Sequence, residues 1–281
     1  MSVKFLYQTA VGRMLLKIMQ KSGLFRIMTR YLRTKASKVW IPGYIKKNRI
    51  DMQLFSEQTY DSFADFFARK RNGICIAMNP TALISPCDGL LSVYPITDGM
   101  NIPMKGSRYR MSDLVPDENI TEMFQDGLCL VFRLQASDYH YFCAFDDCVV
   151  QETHYIPGQL HSVQPIACEK VPVYRLNRRW WSLINSATFG QVIQIEVGAM
   201  LVGGVSFRPR IGGRLQRGDE MGNFELAGST VILLLNAEVR RHLQFLFPFQ
   251  RAMDGKAEVP VRMGEGIGVL RNETYETTHK A

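Results

Sequence analysis

The first fifty residues of the 281-residue sequence contain no acidic side chain. They carry twelve Lys and Arg residues and no Asp or Glu. The whole chain has a formal net charge of +8, which leaves −4 for the other 231 residues. The basic character therefore belongs to the N-terminal segment, and its partner is expected to be an anionic surface, either lipid headgroups or nucleic acid.

Long apolar runs and paired cysteines are also missing. No apolar run reaches the ~18 residues that a membrane-spanning helix needs, and no N-terminal stretch has a signal-peptide core. The six Cys residues are scattered, without a C-x-x-C pair or metal-ligand spacing against the five His residues. We therefore expect reduced thiols, no metal site, and a chain that lies on a membrane without crossing it.

Two amphipathic helices are predicted in the basic segment. Apolar residues recur at helical spacing from Val3 to Lys21 and again from Leu24 to Arg33, with Ser22-Gly23 between them. The opposite faces are basic and carry Arg13, Lys17 and Lys21, then Arg26, Arg30 and Arg33. Because these helices have substantial apolar faces, they favour an anionic membrane surface over nucleic acid.

The rest of the chain predicts an α+β fold with a mainly antiparallel β body. Residues 51–71 look like a further helical region whose aromatic side chains pack onto that body. Past Gly73, short apolar strands are separated by Gly, Pro, Asn and Asp. The strand candidates are Ala82 to Ile84, Leu90 to Tyr94, Cys129 to Leu134, Cys148 to Tyr155, Val192 to Leu201 and Thr230 to Leu235. We divide the chain into a basic, helical, membrane-associating segment, 1–71, and a mainly β domain, 72–281.

Three polar islands sit among these strands. Asp88 lies in Ser85-Pro86-Cys87-Asp88-Gly89, which alone indicates a hairpin turn. His140 is flanked by aromatic residues, and such a histidine is commonly a hydrogen-bonded core residue. Ala227-Gly228-Ser229-Thr230 interrupts the apolar stretch Phe224 to Leu235, where a bulge in one buried strand is the simple interpretation.

Together these islands resemble the phosphatidylserine decarboxylase family, and the likeness covers nearly the whole chain. The order and spacing of the motifs along the chain support this resemblance more strongly than any single motif does. Besides the basic N-terminus, the matching segments are Ser62 to Lys70, Cys87-Asp88-Gly89, Asp138-Tyr139-His140, Gly158 to Val163, Glu196-Val197-Gly198-Ala199, Val202-Gly203, Arg217-Gly218-Asp219-Glu220 and Gly228-Ser229-Thr230.

The resemblance implies an enzyme that makes its own cofactor. The proenzyme would cleave itself at Gly228-Ser229 into a β chain, 1–228, and an α chain, 229–281, and Ser229 would become an N-terminal pyruvoyl group. That group would form a Schiff base with phosphatidylserine and, after loss of CO2, release phosphatidylethanolamine. The resemblance also implies a peripheral protein on the cytoplasmic face of the cell membrane and a homodimer of the processed pair. A related serine lipid is not excluded by any residue as the substrate.

The histidine island departs from the family pattern. The resemblance implies catalytic roles for Asp88, His140 and Ser229, with His140 linked to decarboxylation. The family pattern is Tyr-His-x-x-His, and its second His, the base of an Asp-His-Ser triad, is Cys143 here. A thiol with an ordinary pKa of ~8.5 is mostly protonated and has no second nitrogen for Asp88 to orient.

Three outcomes stay open for Cys143. His140 or His161 takes the place of the missing base, or strain at Gly228-Ser229 drives a slow, unassisted cleavage. In the third, the chain stays uncut and is an inactive membrane-associated relative that binds anionic phospholipid. Because the other elements of the site are present, we expect the chain to process itself.

Overall fold

The fold is α+β with large antiparallel sheets, as the sequence predicts. A computed structural model describes residues 3–56, 59–97, 101–104, 107–200, 204–207, 209–226 and 228–271. Leu201, the end of one strand candidate, lies outside these residues, as do Val202-Gly203 and Ala227. The division at residue 71 stays a prediction.

Short helices fill the N-terminal segment. The region expected to be one helix from Val3 to Lys21 is divided at Thr9, whose hydroxyl accepts a hydrogen bond from the Gly12 N–H and caps the second helix. Gly23, in the left-handed region at φ 71°, precedes the next. The helices are α1 (Val3–Gln8), α2 (Ala10–Lys21), α3 (Leu24–Leu32) and α4 (Ile41–Asn48), with a 3₁₀ helix at Lys35–Trp40.

The prediction of a helical region over residues 51–71 was wrong for most of its length. The segment contains a 3₁₀ turn at Met52–Leu54 and the short helix α5 (Phe63–Phe67). Phe55 and Arg71 form an isolated antiparallel bridge, so the backbone doubles back and cannot continue as one helix. The aromatic side chains do pack onto the body, as expected: Phe55, Tyr60, Phe63, Phe66 and Phe67 are buried in its core.

Many apolar residues of the N-terminal helices are exposed, although Leu16 and Phe25 are buried. Val11 on α2 is 69% exposed and Ile27 on α3 is 66% exposed. Other exposed apolar residues of this surface are Phe5, Met14, Ile18, Leu24, Met28, Tyr31, Val39 and Trp40. Within the described ranges, none of the helices combines the length and apolar character needed to cross a bilayer. We call this set of side chains the outward apolar surface.

The β body is built around one eight-stranded antiparallel sheet. Its strand order is β11-β7-β8-β9-β13-β5-β2-β15. Two three-stranded sheets, β10-β12-β6 and β1-β16-β14, and the β3-β4 hairpin complete the described β structure. The bounds are β1 Ala82–Ile84, β2 Gly89–Pro95, β3 Asn101–Met104, β4 Ser107–Arg110, β5 Leu128–Arg133, β6 Tyr141–Cys143, β7 Cys148–Ile156, β8 Arg179–Ser186, β9 Gly190–Val197, β10 Val205–Phe207, β11 Arg214–Leu215, β12 Glu220–Phe224, β13 Thr230–Leu235, β14 Leu243–Phe245, β15 Val259–Val261 and β16 Gly266–Leu270.

Further short helices lie between and after these strands. They are α6 (Met111–Leu114), α7 (Glu118–Glu122), α8 (Pro165–Cys168), α9 (Val173–Leu176), α10 (Ala237–His242) and a 3₁₀ helix at Phe249–Gly255.

Strand β13 lies in the interior of the large sheet and is buried on both faces. It pairs along its whole length with β5 on one side and β9 on the other. Val231, Leu233 and Leu235 face a core cluster shared with α5, β6 and β12, whereas Ile232 and Leu234 face a second cluster. Two covered faces explain why the strand is a continuous apolar run, without polar alternation.

Two of the polar islands lie where the chain crosses between sheets. The expectation of one bulged strand from Phe224 to Leu235 was wrong, because β12 ends in a three-stranded sheet and β13 begins in the eight-stranded one. The hairpin expected at Asp88 is also absent, because β1 pairs with β16 while β2 pairs with β5 and β15. Gly228-Ser229 and Asp88 therefore lie in connections between layers.

Candidate functional site

Ser229 stands directly before β13, and its hydroxyl is buried without a partner. The side chain is 0% exposed, and Oγ makes no hydrogen bond. The Ser229 carbonyl accepts a hydrogen bond from the Leu134 N–H at 2.9 Å, which continues the ladder between β13 and β5. An unpaired buried hydroxyl costs about 1–3 kcal/mol. A buried hydroxyl that carries such a cost calls for an explanation, and the Thr230 hydroxyl beside it is unpaired as well.

Gly228 leaves space around the bond that would be cut. A Cβ placed on this residue would meet Val163 Cγ2 at 3.4 Å, which is ordinary van der Waals contact. The loop 158–163 therefore approaches Gly228, as the sequence interpretation of His161 requires.

Asp88 is a fixed acceptor whose two carboxylate oxygens are both occupied. The Arg71 guanidinium binds it in a bidentate ion pair. Oδ2 also accepts the Tyr139 N–H at 3.2 Å, and Oδ1 accepts the Met263 N–H at 2.9 Å. Asp88 thus ties three separate segments of the chain together, and both of its side-chain oxygens are engaged in doing so.

His140 is buried, and its ring packs against Phe67. Both ring nitrogens lack a hydrogen-bond partner, and the ring centroid lies 4.0 Å from that of Phe67. Burial, with a smaller effect from the Arg69 charge, lowers the pKa of His140 to about 3. The imidazole is therefore neutral near pH 7. Its backbone carbonyl accepts the Phe224 N–H at 2.9 Å, which joins it to the end of β12.

The Cys143 thiol is poorly suited to act as a base. Cys143 is buried on β6, and its N–H donates to the Pro86 carbonyl at 2.8 Å. Burial, then the negative charge of Asp219, raises the pKa of the thiol to about 12. The group remains protonated near neutral pH, and Ser229 Oγ has no hydrogen bond to it.

His161 is occupied by neighbouring side chains. Its Nδ1 lies 3.1 Å from the Tyr7 hydroxyl of α1, and its Nε2 lies 2.8 Å from Gln159 Oε1. Burial lowers the pKa of this imidazole as well. The loop that carries His161 therefore lies near Gly228, but the His161 ring is hydrogen-bonded to Tyr7 and Gln159.

Sequence reasoning missed Glu196 and Gln194, which are fully buried side by side on β9. Gln194 Nε2 donates to Glu196 Oε1 at 2.8 Å, while Glu196 Oε2 has no partner. Burial raises the pKa of Glu196 to about 8. Their alternation with Ile193, Ile195 and Val197 resembles the solvent face of a strand. Only the knowledge that both faces of the sheet are covered would have shown that these two side chains are buried, and the sequence alone does not supply it.

The Cys87 thiol is buried and is affected by the charges of several carboxylates. Burial raises the pKa of its thiol far above the usual value, and the charges of Asp88, Asp138 and Glu196 add to the effect. Cys87 also forms an isolated bridge with Phe142, next to Cys143. Cys143 and Val231, which lies opposite Glu196 on β13, belong to the same core cluster, on the side of the large sheet that carries α5 and β6.

Known proteins match this chain over most of its length. The profile of the phosphatidylserine decarboxylase family matches residues 63–269. A phosphatidylserine decarboxylase proenzyme 2 from Clostridium acetobutylicum is 37% identical over 270 residues, covering 95% of this chain and 91% of the relative. The corresponding proenzyme from Clostridium kluyveri is 35% identical over 275 residues, covering 95% and 92%. One from Clostridium beijerinckii is 37% identical over 240 residues, covering 82% and 80%.

Proposed function

The chain belongs to the phosphatidylserine decarboxylase family of carboxy-lyases, and from this we propose that it cuts itself between Gly228 and Ser229 and converts phosphatidylserine to phosphatidylethanolamine. The observation that carries the proposal is the unpaired, buried Ser229 hydroxyl at the crossing between two sheets. A hydroxyl without a hydrogen-bond partner is free to attack the adjacent Gly228 carbonyl.

The residues around position 229 fit a pyruvoyl group. The Leu134 N–H would continue to hold the Ser229 carbonyl, which would become the amide carbonyl of the group and is not altered by the cleavage. A pyruvoyl group supplies a ketone that takes up an amine and accepts the electron pair freed when CO2 leaves. His140, whose neutral ring is unpaired at both nitrogens, would handle the proton of the decarboxylation step, because one ring nitrogen carries a proton to donate and the other can accept one.

An apolar cleft of about 530 Å³ leads from the outward apolar surface toward this site. It lies between α3, α4 and α5, and its lining includes Trp40, Phe67 and Leu226. Phe67 contacts the His140 ring, and Leu226 lies three residues before Ser229. The cleft supports entry of a lipid substrate from a membrane, which we place on the cytoplasmic face.

Removing two apolar contacts is expected to release the protein from membranes. The double variant Val11→Glu, Ile27→Glu should bind anionic phospholipid vesicles at least about tenfold more weakly, because each of these exposed side chains would contribute up to roughly 1.5–3 kcal/mol when the membrane buries it. Vesicle flotation measures this. The control is Met78→Glu, because Met78 is 92% exposed and lies outside these helices. Equal flotation of the double variant and the control variant would show that the outward apolar surface does not bind the membrane.

Intact-mass analysis tests the proposed function. The purified chain should appear as two fragments divided at Gly228, and with phosphatidylserine vesicles it should release CO2 and phosphatidylethanolamine. Vesicles carrying another serine lipid test the headgroup. A single uncut chain that is stable for days, yet floats with anionic vesicles, would favour the second candidate function, an inactive phospholipid-binding relative. The protonated Cys143 thiol is the observation in favour of that alternative.

A further inference from the structure

Attack by Ser229 needs a proton acceptor, and the register of the large sheet brings an unassigned one near it. In the pairing of β9 with β13, Glu196 lies opposite Val231, and Thr230 lies opposite Val197. Ser229 continues the β13 ladder through its bond from Leu134, so it lies diagonally from Glu196. Side chains on one sheet face alternate with period two, which places those of 229, 231 and 196 on the same face. Diagonal neighbours are ~7–8 Å apart at the backbone, within reach of a long side chain.

Glu196 and Ser229 each have an atom that lacks a partner. Glu196 Oε2 and Ser229 Oγ are buried and make no hydrogen bond, whereas Glu196 Oε1 is held by Gln194 at 2.8 Å. Gln194 therefore orients the carboxylate and leaves its second oxygen available. A small movement of the Glu196 side chain would satisfy both orphaned atoms at once.

Other candidate bases fit the role less well. Both Asp88 oxygens are occupied by Arg71 and backbone N–H groups. His161 is bound to Tyr7 and Gln159. His140 is unpaired, but a pKa of about 3 makes it a weak proton acceptor. The Cys143 thiol, with a pKa of about 12, does not ionise near neutral pH.

We propose that Glu196 is the base for self-cleavage in this chain and takes the role that the family pattern gives to a histidine at position 143; this rests on the proposed function. Glu196 Oε2 removes the proton from Ser229 Oγ, which attacks the carbonyl carbon of Gly228. The Gly228-Ser229 C–N bond breaks, and Glu196 returns the proton to the departing nitrogen. The products are an ester of Gly228 with the Ser229 oxygen and a free Ser229 amine, with all atoms and charges balanced.

The test is a time course of self-cleavage, followed by intact mass after synthesis of the full chain. Glu196→Gln, which keeps shape but not basicity, should slow cleavage at least about 100-fold, the lower end of what general bases contribute. Glu196→Asp should restore part of the rate. Gln194→Leu, which releases the carboxylate, should slow it less. Thermal unfolding of each variant in its uncut form checks that the variant is folded.

Two results overturn the proposal in distinguishable ways. If the wild-type chain cuts itself and Glu196→Gln cuts at the same rate, Glu196 is not the base, while the proposed function stands. If the folded wild-type chain never cuts, the processing step of the proposed function fails together with the role of Glu196.

The pH profile gives a second readout. Because deprotonated Glu196 is required, the wild-type cleavage rate should rise with pH and level off above about 8. The groups facing Glu196 from other elements include Cys87, which is protonated and uncharged here, and the uncharged Trp180, Val231 and Met221. A rate already maximal at pH 5 would instead identify His140 and contradict the proposal.

Discussion

Replacing Ser229 by Ala is expected to leave one uncut chain of 32.1 kDa with no decarboxylase activity. The variant lacks both the nucleophile for cleavage and the atoms that become the ketone, so the loss should be complete. Removing a hydroxyl that has no hydrogen-bond partner should not destabilise the fold, because a desolvation cost of about 1–3 kcal/mol disappears with it. Intact mass, CO2 release and thermal unfolding measure the three effects.

Thr230→Val is the matched control for Ser229→Ala. Thr230 is the next residue, and its buried hydroxyl also lacks a partner. It faces the opposite side of the sheet, away from Glu196. The control should cut itself and decarboxylate phosphatidylserine normally. Cleavage of Ser229→Ala, or loss of cleavage in Thr230→Val, would show that the nucleophile has been misassigned.

Asp88→Asn should produce the second largest effect, lowering stability and slowing self-cleavage together. The change removes the negative charge that pairs with the buried Arg71 guanidinium. Leaving one member of a buried pair uncompensated costs about 3–5 kcal/mol. The bonds from the Tyr139 and Met263 N–H groups would weaken as well, which frees the segment that leads to His140. We expect a lower melting temperature and cleavage at least about tenfold slower.

Asp146→Asn is the control that distinguishes a positioning role of Asp88 in self-cleavage from its contribution to the stability of the fold. Asp146 is a buried carboxylate that pairs with Arg217 and accepts bonds from Ser186 and Thr188. Its loss should lower the melting temperature to a similar extent. The cleavage rate per folded molecule should stay at the wild-type value, because none of these contacts involves Asp88 or Ser229. If both variants slow cleavage equally, Asp88 acts only through stability.

Local sequence patterns predicted the elements better than their arrangement. The apolar run of β13 and the amphipathic spacing of α2 and α3 are short-range signals, and both were confirmed as elements. The crossing between β12 and β13 depends on which strands pair, which is a long-range property. For that reason a change of sheets looked like a bulge at Ser229.

The chemistry of the site was predictable only in part. Motif order singled out Ser229, Asp88 and His140 as candidates, and the departure from the family pattern at Cys143 was visible in the sequence. The Arg71 ion pair and the unpaired state of His140 and Ser229 depend on residues far apart in the chain. Glu196 was visible as part of a matching segment but was not predicted as a site residue, because a glutamate in an alternating strand normally faces water, whereas here both sheet faces are covered.

The interior position of β13 means that self-cleavage would make refolding depend on protein concentration. A cut at Ser229 would assign β13 to one chain and its neighbours β5 and β9 to the other, yet leave every ladder bond between them in place. The native protein would hold together as before. Once unfolded, however, its two pieces would have to meet by diffusion, since the covalent connection that makes folding concentration-independent has gone. The uncut form should refold after denaturation, whereas the mature enzyme, like other proteins that depend on kinetic stability, should not recover at low concentration.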